Sequence, residues 1–187
     1  MSDAPAARYG AVAIGLHWLI AAALVALFWI GWEMTDLDLG PDKLRLYALH
    51  KSIGLTVLLA VVVRLLWRAT HRPPALPADI ARWQHTVSAI THWSLYALLL
   101  LIPLSGWLLN GTTGFPISWF GQFGVPNLIG ADPSLKDTAS FVHETFGKIL
   151  LALVALHVAG ALHHHFVLRD AVLTRMVPAL SAREKKQ

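Results

Sequence analysis

Two histidines in one long apolar stretch have the type and the spacing to hold a metal cofactor inside a membrane. His143 and His157 lie fourteen residues apart in the run from Phe141 to Phe166. Fourteen helical positions fall about 40° short of four turns and rise about 21 Å. Both imidazoles therefore leave nearly the same face of one helix at two heights. Ionisable side chains at such depths are costly and usually functional, so this spacing predicts one wall of a two-haem stack.

The composition indicates an integral membrane protein without thiol chemistry. Of the 187 residues, 56% are hydrophobic and 14% are charged, and the mean hydropathy is positive. This is typical of a single membrane domain, which we assign to residues 1–187. The chain has no cysteine, which excludes disulfides, thiolate-held iron–sulfur clusters and covalent haem attachment. Any haem must then be of the b type, held by histidine or methionine alone.

Four apolar segments are long enough to cross a bilayer whose hydrocarbon core is about 30 Å thick. We predict spans over residues 11–32, 44–67, 83–109 and 140–166, which form an all-α, integral membrane four-helix bundle with two haems stacked across the bilayer. A cleaved signal peptide is the less favoured interpretation of the first segment, because its apolar run is longer than a signal sequence needs. Between the third and fourth spans, Trp119, Phe120 and Phe123 predict a segment lying at the membrane interface.

The basic residues divide unevenly between the two sides of this bundle. The positive-inside rule makes the side rich in arginine cytoplasmic, so we expect both termini in the cytoplasm. That side carries Arg8, Arg64, Arg68, Arg72, Arg82, Arg169, Arg175, Arg183, Lys185 and Lys186. The outer side carries Lys43, Arg45, Lys51, Lys136 and Lys148, together with most of the acidic residues.

This orientation sorts the histidines of the spans into two levels. His50 and His143 come near the outer surface and form the outer pair, whereas His17 and His157 come near the cytoplasm and form the inner pair. Two imidazoles at one level fill both axial positions of a haem iron, which leaves no position for dioxygen and predicts electron transfer. The alternative for any one histidine is a hydrogen bond to a neighbouring helix.

Small residues follow each of these histidines on the same helical face. A porphyrin edge needs that missing bulk, although small residues are also used where helices touch. The positions are Ala21, Gly54, Gly147 and Gly160.

Further candidates lie near the inner level. His92 of the third span has a height comparable with that of His157, so it could replace one inner ligand or lie beside the inner haem. Arg64 and Arg68 suit haem propionates, but both could instead extend to lipid phosphates. The run His163–His165 is of a kind that suggests surface metal binding, yet here it lies just beyond the inner level.

The order of these motifs resembles the bacterial cytochrome b561 family from about Tyr9 to Pro178, with a poor match in the outer loop 111–136. The matching pieces are H-W at His17–Trp18, H-x-x-x-G at His50–Gly54, V-V-R-L-L-x-R at Val62–Arg68, H-E-T at His143–Thr145, L-H at Leu156–His157 and H-H-F…R-D…L-x-R-M-x-P at His164–Pro178.

The resemblance implies a dihaem b-type cytochrome of the bacterial inner membrane that exchanges electrons with ubiquinone. It implies haem ligands at His17, His50, His143 and His157, in agreement with the sorting by depth. It also implies a quinone-site role for His164. The activity it suggests is the oxidation of periplasmic superoxide with reduction of ubiquinone.

Two functions stay open from the sequence. The first is a self-contained superoxide oxidase, for which Lys51, Lys136 and Lys148 would steer the superoxide anion to the outer haem, unless they only neutralise propionates. The second is a haem-b membrane anchor that relays electrons between quinone and a periplasmic dehydrogenase or hydrogenase. The expected partners are the lipid bilayer, ubiquinone, superoxide and, for the relay, a protein; no nucleic acid is expected.

Overall fold

The computed structural model describes residues 8–71, 74, 82–177 and 179–180, and its main elements are four long helices. They are α1 (Ala11–Asp36), α2 (Pro41–Thr70), α3 (Arg82–Thr112) and α4 (Lys136–His163), and a π-helix (His164–Leu168) continues α4. All four are long and apolar enough to cross a membrane, which confirms the predicted all-α architecture. Arg72, Arg183, Lys185 and Lys186, used above for orientation, lie outside the described residues.

The helices extend beyond the apolar runs predicted as spans. α1 continues to Asp36 and α2 begins at Pro41, so the predicted turn over Glu33–Asp42 shrinks to the four residues 37–40. Proline suits the start of α2 because the first helical N–H has no partner, and Asp42 in the first turn complements the helix dipole. The helices are longer than the predicted spans because a span ends where the apolar run ends, whereas helical hydrogen bonding continues beyond it.

The helices pack in chain order, α1 on α2, α2 on α3 and α3 on α4. Ile20 of α1 and Val57 and Val61 of α2 form a buried cluster against which side chains of α3 pack. By contrast, α4 makes no extensive contact with α1 or α2. A cleft therefore separates α4 from the α1–α2 pair, and both predicted histidine pairs face each other across it.

An antiparallel hairpin closes the outer end of the bundle. Its strands are β1 (Ile117–Trp119) and β2 (Phe123–Val125), and a 3₁₀ turn (Pro133–Leu135) leads into α4. The indole N–H of Trp119 donates to the Ser52 carbonyl at 3.2 Å and lies 3.1 Å from Thr56 Oγ1. The backbone N–H of Phe120 donates to Ser52 Oγ at 3.0 Å. The predicted interfacial aromatics thus divide: Trp119 is anchored on α2, whereas Phe120 and Phe123 are exposed.

The chain beyond the π-helix closes the inner end. It folds back across the bundle, and the indole N–H of Trp18 on α1 donates to the Met176 carbonyl at 2.9 Å. Thr174 and Arg175 of this segment are buried. We call residues 169–177 the C-terminal return. It joins α4 to α1 at the end of the cleft where the two helices are otherwise apart.

Candidate functional site

The two histidine pairs have the same spacing across the cleft. The ring centroids of His50 on α2 and His143 on α4 are 6.2 Å apart, with the rings inclined at 79°. The centroids of His17 on α1 and His157 on α4 are also 6.2 Å apart, with the rings inclined at 65°. The structure therefore brings together both pairs that were predicted from depth alone.

This spacing fits two axial ligands of one metal ion. A bond from a metal to an imidazole nitrogen is about 2 Å long, and the ring centroid lies roughly 1 Å beyond that nitrogen. Two imidazoles on opposite sides of one metal ion therefore have ring centroids about 6 Å apart. Within the part of the chain that the structure describes, no hydrogen bond joins the two rings of either pair. No group of three or more His, Cys, Asp or Glu converges there as a site for a bare metal ion. Two protein ligands suit a metal whose other ligands come from a porphyrin.

α3 fixes the orientation of His143. Its Nδ1 lies 3.1 Å from the Ile102 carbonyl and 3.1 Å from Ser105 Oγ, and that hydroxyl itself donates to the Ile102 carbonyl at 2.8 Å. The tautomer that satisfies this network carries its proton on Nδ1, which leaves the Nε2 lone pair for a metal. A Cβ at Gly106 would lie 2.9 Å from His143 Cε1, so only glycine fits beside the ring.

Ile102, Ser105 and Gly106 were not predicted as part of the site. The available sequence signal was the Ser-Gly pair that follows Pro103 in the third span. That signal is weak, because small residues after a helical proline also serve ordinary helix contacts.

The surroundings of His50 and the small residues also suit a bound cofactor. His50 Nδ1 is buried beside the Leu27 backbone without meeting the geometry of a normal hydrogen bond. A Cβ built on Gly31 of α1 would meet the His50 ring at 3.6 Å. In contrast, a Cβ on Gly54, Gly147 or Gly160 would meet nothing within 4 Å. Open space therefore adjoins the three glycines that follow predicted ligands, as a porphyrin edge requires.

His92 lies beside the inner pair. Its ring centroid is 5.3 Å from that of His157, closer than the spacing shared by the two pairs. Its Nδ1 lies 2.7 Å from the Ser88 carbonyl, to which a protonated Nδ1 donates, and 3.2 Å from Ser88 Oγ. Of the two roles left open for His92, this geometry favours a position next to the inner pair over replacement of a ligand.

Arg64 and Arg68 line a cavity of about 210 Å³ at the end of the bundle where α1 begins and α2 ends. Arg64 donates to the Ala13 carbonyl at 2.6 Å and to Tyr96 Oη at 3.3 Å. The Arg68 guanidinium lies over the rings of Trp93 and Tyr96 at 5.8 and 5.7 Å. Among the described residues no carboxylate pairs with either arginine, so each has N–H donors for an anion. Their assignment to propionates stays a prediction.

The three lysines predicted to steer an anion lie at different places. Lys51 is half-buried next to His50, and its Nζ is 6.0 Å from the Tyr47 ring centroid. Lys136 is the exposed first residue of α4. Lys148 is also exposed, but it follows His143 by five residues and so leaves α4 about 140° away from that imidazole. Lys51 is therefore the strongest of the three candidates.

His164 pairs with an aspartate that was not predicted as a site residue. Its Nδ1 lies 2.5 Å from Asp170 Oδ2. Among the described residues, the contacts of the His164 side chain do not include His92. His163 lies edge-on to His164, and His165 lies against Phe166, so the histidine run does not converge on one point.

The comparisons with known proteins agree with this geometry. The sequence model of prokaryotic cytochrome b561 matches residues 8–179. The chain belongs to this family. It is 33% identical over 171 residues to cytochrome b561 homolog 2 of Escherichia coli strain K12, covering 91% of each chain. It is 27% identical to the "Probable superoxide oxidase CybB" of Yersinia pestis, covering 91% of this chain and 96% of the relative. Cytochrome b561 homolog 1 of the same E. coli strain is also 27% identical, covering 91% and 97%.

Membership of the cytochrome b561 family implies membrane electron transfer with b-type haem in a multi-pass protein of the bacterial inner membrane. The residues present fit that cofactor. Each pair offers imidazoles at the spacing of two axial ligands, and glycines leave space beside them. The absence of cysteine agrees with a non-covalent haem, held by histidine or methionine.

Proposed function

We propose that this cytochrome b561 oxidises superoxide at its outer face and reduces ubiquinone at its cytoplasmic face. The observation that carries the proposal is the pair of equivalent histidine sites at two levels of α4, each with a centroid spacing of 6.2 Å. His50 and His143 would hold one b haem and His17 and His157 the other. A bound haem supplies reversible one-electron chemistry at its iron.

The residues of the chain define what each end can do. Two histidines at each level would be the protein ligands of one haem iron, which would leave neither end an open site for dioxygen or peroxide. Lys51 and Lys136 would raise the local concentration of an anionic donor at the outer end, which increases its association rate by about 10- to 1,000-fold. Arg64 and Arg68 would neutralise propionates at the inner end, where the cavity they line carries no described carboxylate.

Ubiquinone would bind at the cytoplasmic end, next to the inner pair. His164 would hydrogen-bond a quinone carbonyl there, with His92 placed to support the same site from beside His157. This requires both termini in the cytoplasm, as the arginine asymmetry predicts. Reporter fusions after Leu168 and within residues 111–136 should then report opposite sides of the membrane.

Stopped-flow spectroscopy of the purified, haem-loaded protein tests the proposal. Superoxide should reduce the haems rapidly, which the change in haem absorbance reports. Adding a short-chain ubiquinone should oxidise the haems again and allow continuous turnover. If superoxide reduces the haem no faster than an uncharged reductant of similar potential does, superoxide oxidation is not the function, and the alternative function is favoured. The protein would then be a relay between quinone and a periplasmic dehydrogenase or hydrogenase.

A further inference from the structure

The connection between α3 and α4 is apolar although much of it is exposed. None of Asp, Glu, Lys or Arg occurs between Arg82 and Asp132. Within this stretch we call residues 115–128 the hairpin segment, and its large exposed apolar side chains are Phe115, Phe120, Phe123 and Leu128. The rings of Phe120 and Phe123 both adjoin Trp119, at centroid distances of 5.9 and 5.1 Å, so they belong to one patch. Exposed apolar patches mark contacts with a membrane or with another protein.

The hairpin segment lies beside the membrane-spanning part of α2 rather than beyond its end. The Trp119 indole contacts Ser52 and Thr56, as described for the fold. These two residues follow His50 by two and six positions, so they lie about 3 and 9 Å further from the α1–α2 turn than His50 does. The hairpin segment therefore reaches the level of the outer histidine pair.

The segment also folds back along the last turns of α3. The Trp107 indole N–H donates to the Pro126 carbonyl at 3.0 Å, and the Asn110 side-chain amide donates to the Phe115 carbonyl at 2.7 Å. Trp107 lies inside the third predicted span, and both α2 and α3 are long and apolar enough to cross a membrane. The chain thus leaves α3 and turns back toward the apolar part of the bundle.

Side chains of these helices also satisfy main-chain groups of the segment. Ser52 is buried, and its Oγ accepts the Phe120 N–H at 3.0 Å. Trp107 and Asn110 donate to two of the carbonyl groups, as given above. Irregular backbone at membrane depth requires such protein partners, because hydrocarbon offers no hydrogen bonds. The hairpin segment therefore has the hydrogen bonding that a segment within a bilayer needs.

The hairpin is strained at its tip. Phe120 adopts a left-handed conformation with φ of 48°, which is unusual for a bulky side chain, and Gly121 follows with φ of 71°. Such a conformation persists only where the surroundings determine it, and the hydrogen bond to Ser52 is one determinant. The Phe120 residue is nevertheless 49% exposed. The backbone is thus held in a strained conformation while an apolar ring stays on the surface, which is unfavourable if that surface faces water.

We propose that the hairpin segment is a re-entrant membrane element whose exposed apolar side chains contact phospholipid acyl chains in the outer leaflet. Ile117 is buried against the bundle, whereas Phe120 and Phe123 face the lipid. A soluble partner protein would instead meet the ends of the helices, not the level of the outer histidines. The charged residues at this end lie in other elements, in the α1–α2 turn, the first turns of α2 and the start of α4. A soluble electron donor reaches the outer end over those elements, whichever donor the protein uses.

Site-specific photo-crosslinking identifies what contacts the segment. Phe120 or Phe123 is replaced by benzoylphenylalanine, a photoreactive analogue of phenylalanine, in the full-length, haem-loaded protein in bacterial inner membranes. After illumination, mass spectrometry should show a mass shift of one phospholipid on the peptide that contains the analogue. The same replacement of Val25, an exposed apolar residue in the middle of α1, is the lipid-facing control and should give a similar yield. Replacement of Asp38 in the α1–α2 turn is the water-facing control and should give no phospholipid adduct.

The other outcomes each overturn the proposal. Crosslinks from positions 120 and 123 to a second protein, or to a second copy of this chain, would make the patch a protein interface. An absence of phospholipid adducts at both positions, together with adducts at position 25, would mean that the hairpin segment faces water. Pyridine haemochrome absorbance equal to that of the parent establishes that each variant is folded.

Hydrogen–deuterium exchange tests the anchor without a crosslinker. Ser52→Ala removes the acceptor of the Phe120 N–H, so exchange in residues 115–128 should accelerate by about 10- to 100-fold, the effect of leaving one buried donor unsatisfied. Thr35→Ala removes a hydroxyl at the same end that donates to the Trp32 carbonyl within α1, and it should leave that exchange unchanged. Equal exchange in Ser52→Ala and the parent would overturn the role of Ser52 in holding the segment at this depth.

Discussion

The outer and inner ends of this cytochrome hold histidine pairs of identical spacing in different surroundings. At the outer end, His143 is fixed by Ile102, Ser105 and Gly106 of α3, and the hairpin is tied to α2 through Ser52. At the inner end, no hydrogen bond to another described residue holds the rings of His17 and His157. Instead, the His92 ring lies beside that of His157, and Arg64 and Arg68 line a cavity next to the start of α1.

The proposed function assigns different reactions to the two ends. An electron can enter from a small anion without any proton transfer, so the outer end needs only rigid ligands and some positive charge. Quinone reduction consumes protons, so the inner end needs groups that bind and release them. Under the proposed function, the outer end, where α3 holds His143 by hydrogen bonds, would take up the electron, and the inner end, where His92 lies beside His157, would serve the proton-coupled chemistry.

Removing a ligand should have the largest effect. His143→Ala and His157→Ala should each remove one of two haems, because a single remaining imidazole in a wide cleft holds a haem poorly. Pyridine haemochrome absorbance per protein should fall to half of the parent value in each variant. His92→Ala, which changes the neighbouring imidazole, should retain both haems in the low-spin state. Two low-spin haems in His157→Ala and one in His92→Ala would reverse the inner assignment.

Filling the space beside the outer ligand should have the next largest effect. Gly106→Ala places a methyl group 2.9 Å from His143 Cε1, so the ring or α3 must shift. Displacing a supporting contact of a metal ligand typically lowers affinity by about 10- to 100-fold, so haem titration should show one weakened site and one normal site. Gly124→Ala in the hairpin, where a Cβ would meet nothing, should bind two haems normally. Equal haem affinity in both variants would contradict the tight outer site.

Much of this site could be predicted from sequence because it depends mainly on the spacing of residues within single helices. Helical spacing fixes the relative directions of His143 and His157, and the bilayer supplies a common axis on which histidines of different spans can be compared by depth. The support of His143 could not be predicted in this way, since it depends on how α3 is rotated against α4. Nor could the pairing of Asp170 with His164 be predicted, because it depends on a π-helix, a left-handed residue and a contact between Trp18 and Met176, 158 residues apart.

Reversing charge at the outer end should have a smaller, kinetic effect. Lys51→Glu combined with Lys136→Glu should lower the second-order rate of haem reduction by superoxide by about 10-fold or more and weaken its dependence on salt, because steering of an anion is electrostatic. Stopped-flow rates at several ionic strengths measure this. Lys148→Glu, on a helix face turned away from His143, should have less effect. A parent rate that does not fall with salt would exclude steering.

Loss of one hydrogen bond at the outer ligand should have the smallest effect. Ser105→Ala removes one of two acceptors near His143 Nδ1–H, which makes the imidazole a weaker electron donor and raises the reduction potential of one haem. The expected shift is roughly 20 to 40 mV, the one-electron equivalent of a hydrogen bond contributing about 0.5–1 kcal/mol. A spectroscopic redox titration should show one potential shifted and the other unchanged. A shift of both potentials would mean that the two ends are not independent.

The division between the ends is tested most directly by single-haem variants that retain one level each. The His157→Ala protein keeps the outer pair, so superoxide should reduce its remaining haem at close to the parent rate, and ubiquinone should not oxidise it again. The His143→Ala protein keeps the inner pair, so ubiquinol should reduce its remaining haem, and superoxide should do so at least about 10-fold more slowly than in the parent. If superoxide instead reduces the inner-pair protein at the parent rate and fails with the outer-pair protein, the assignment of electron entry to the outer end is wrong.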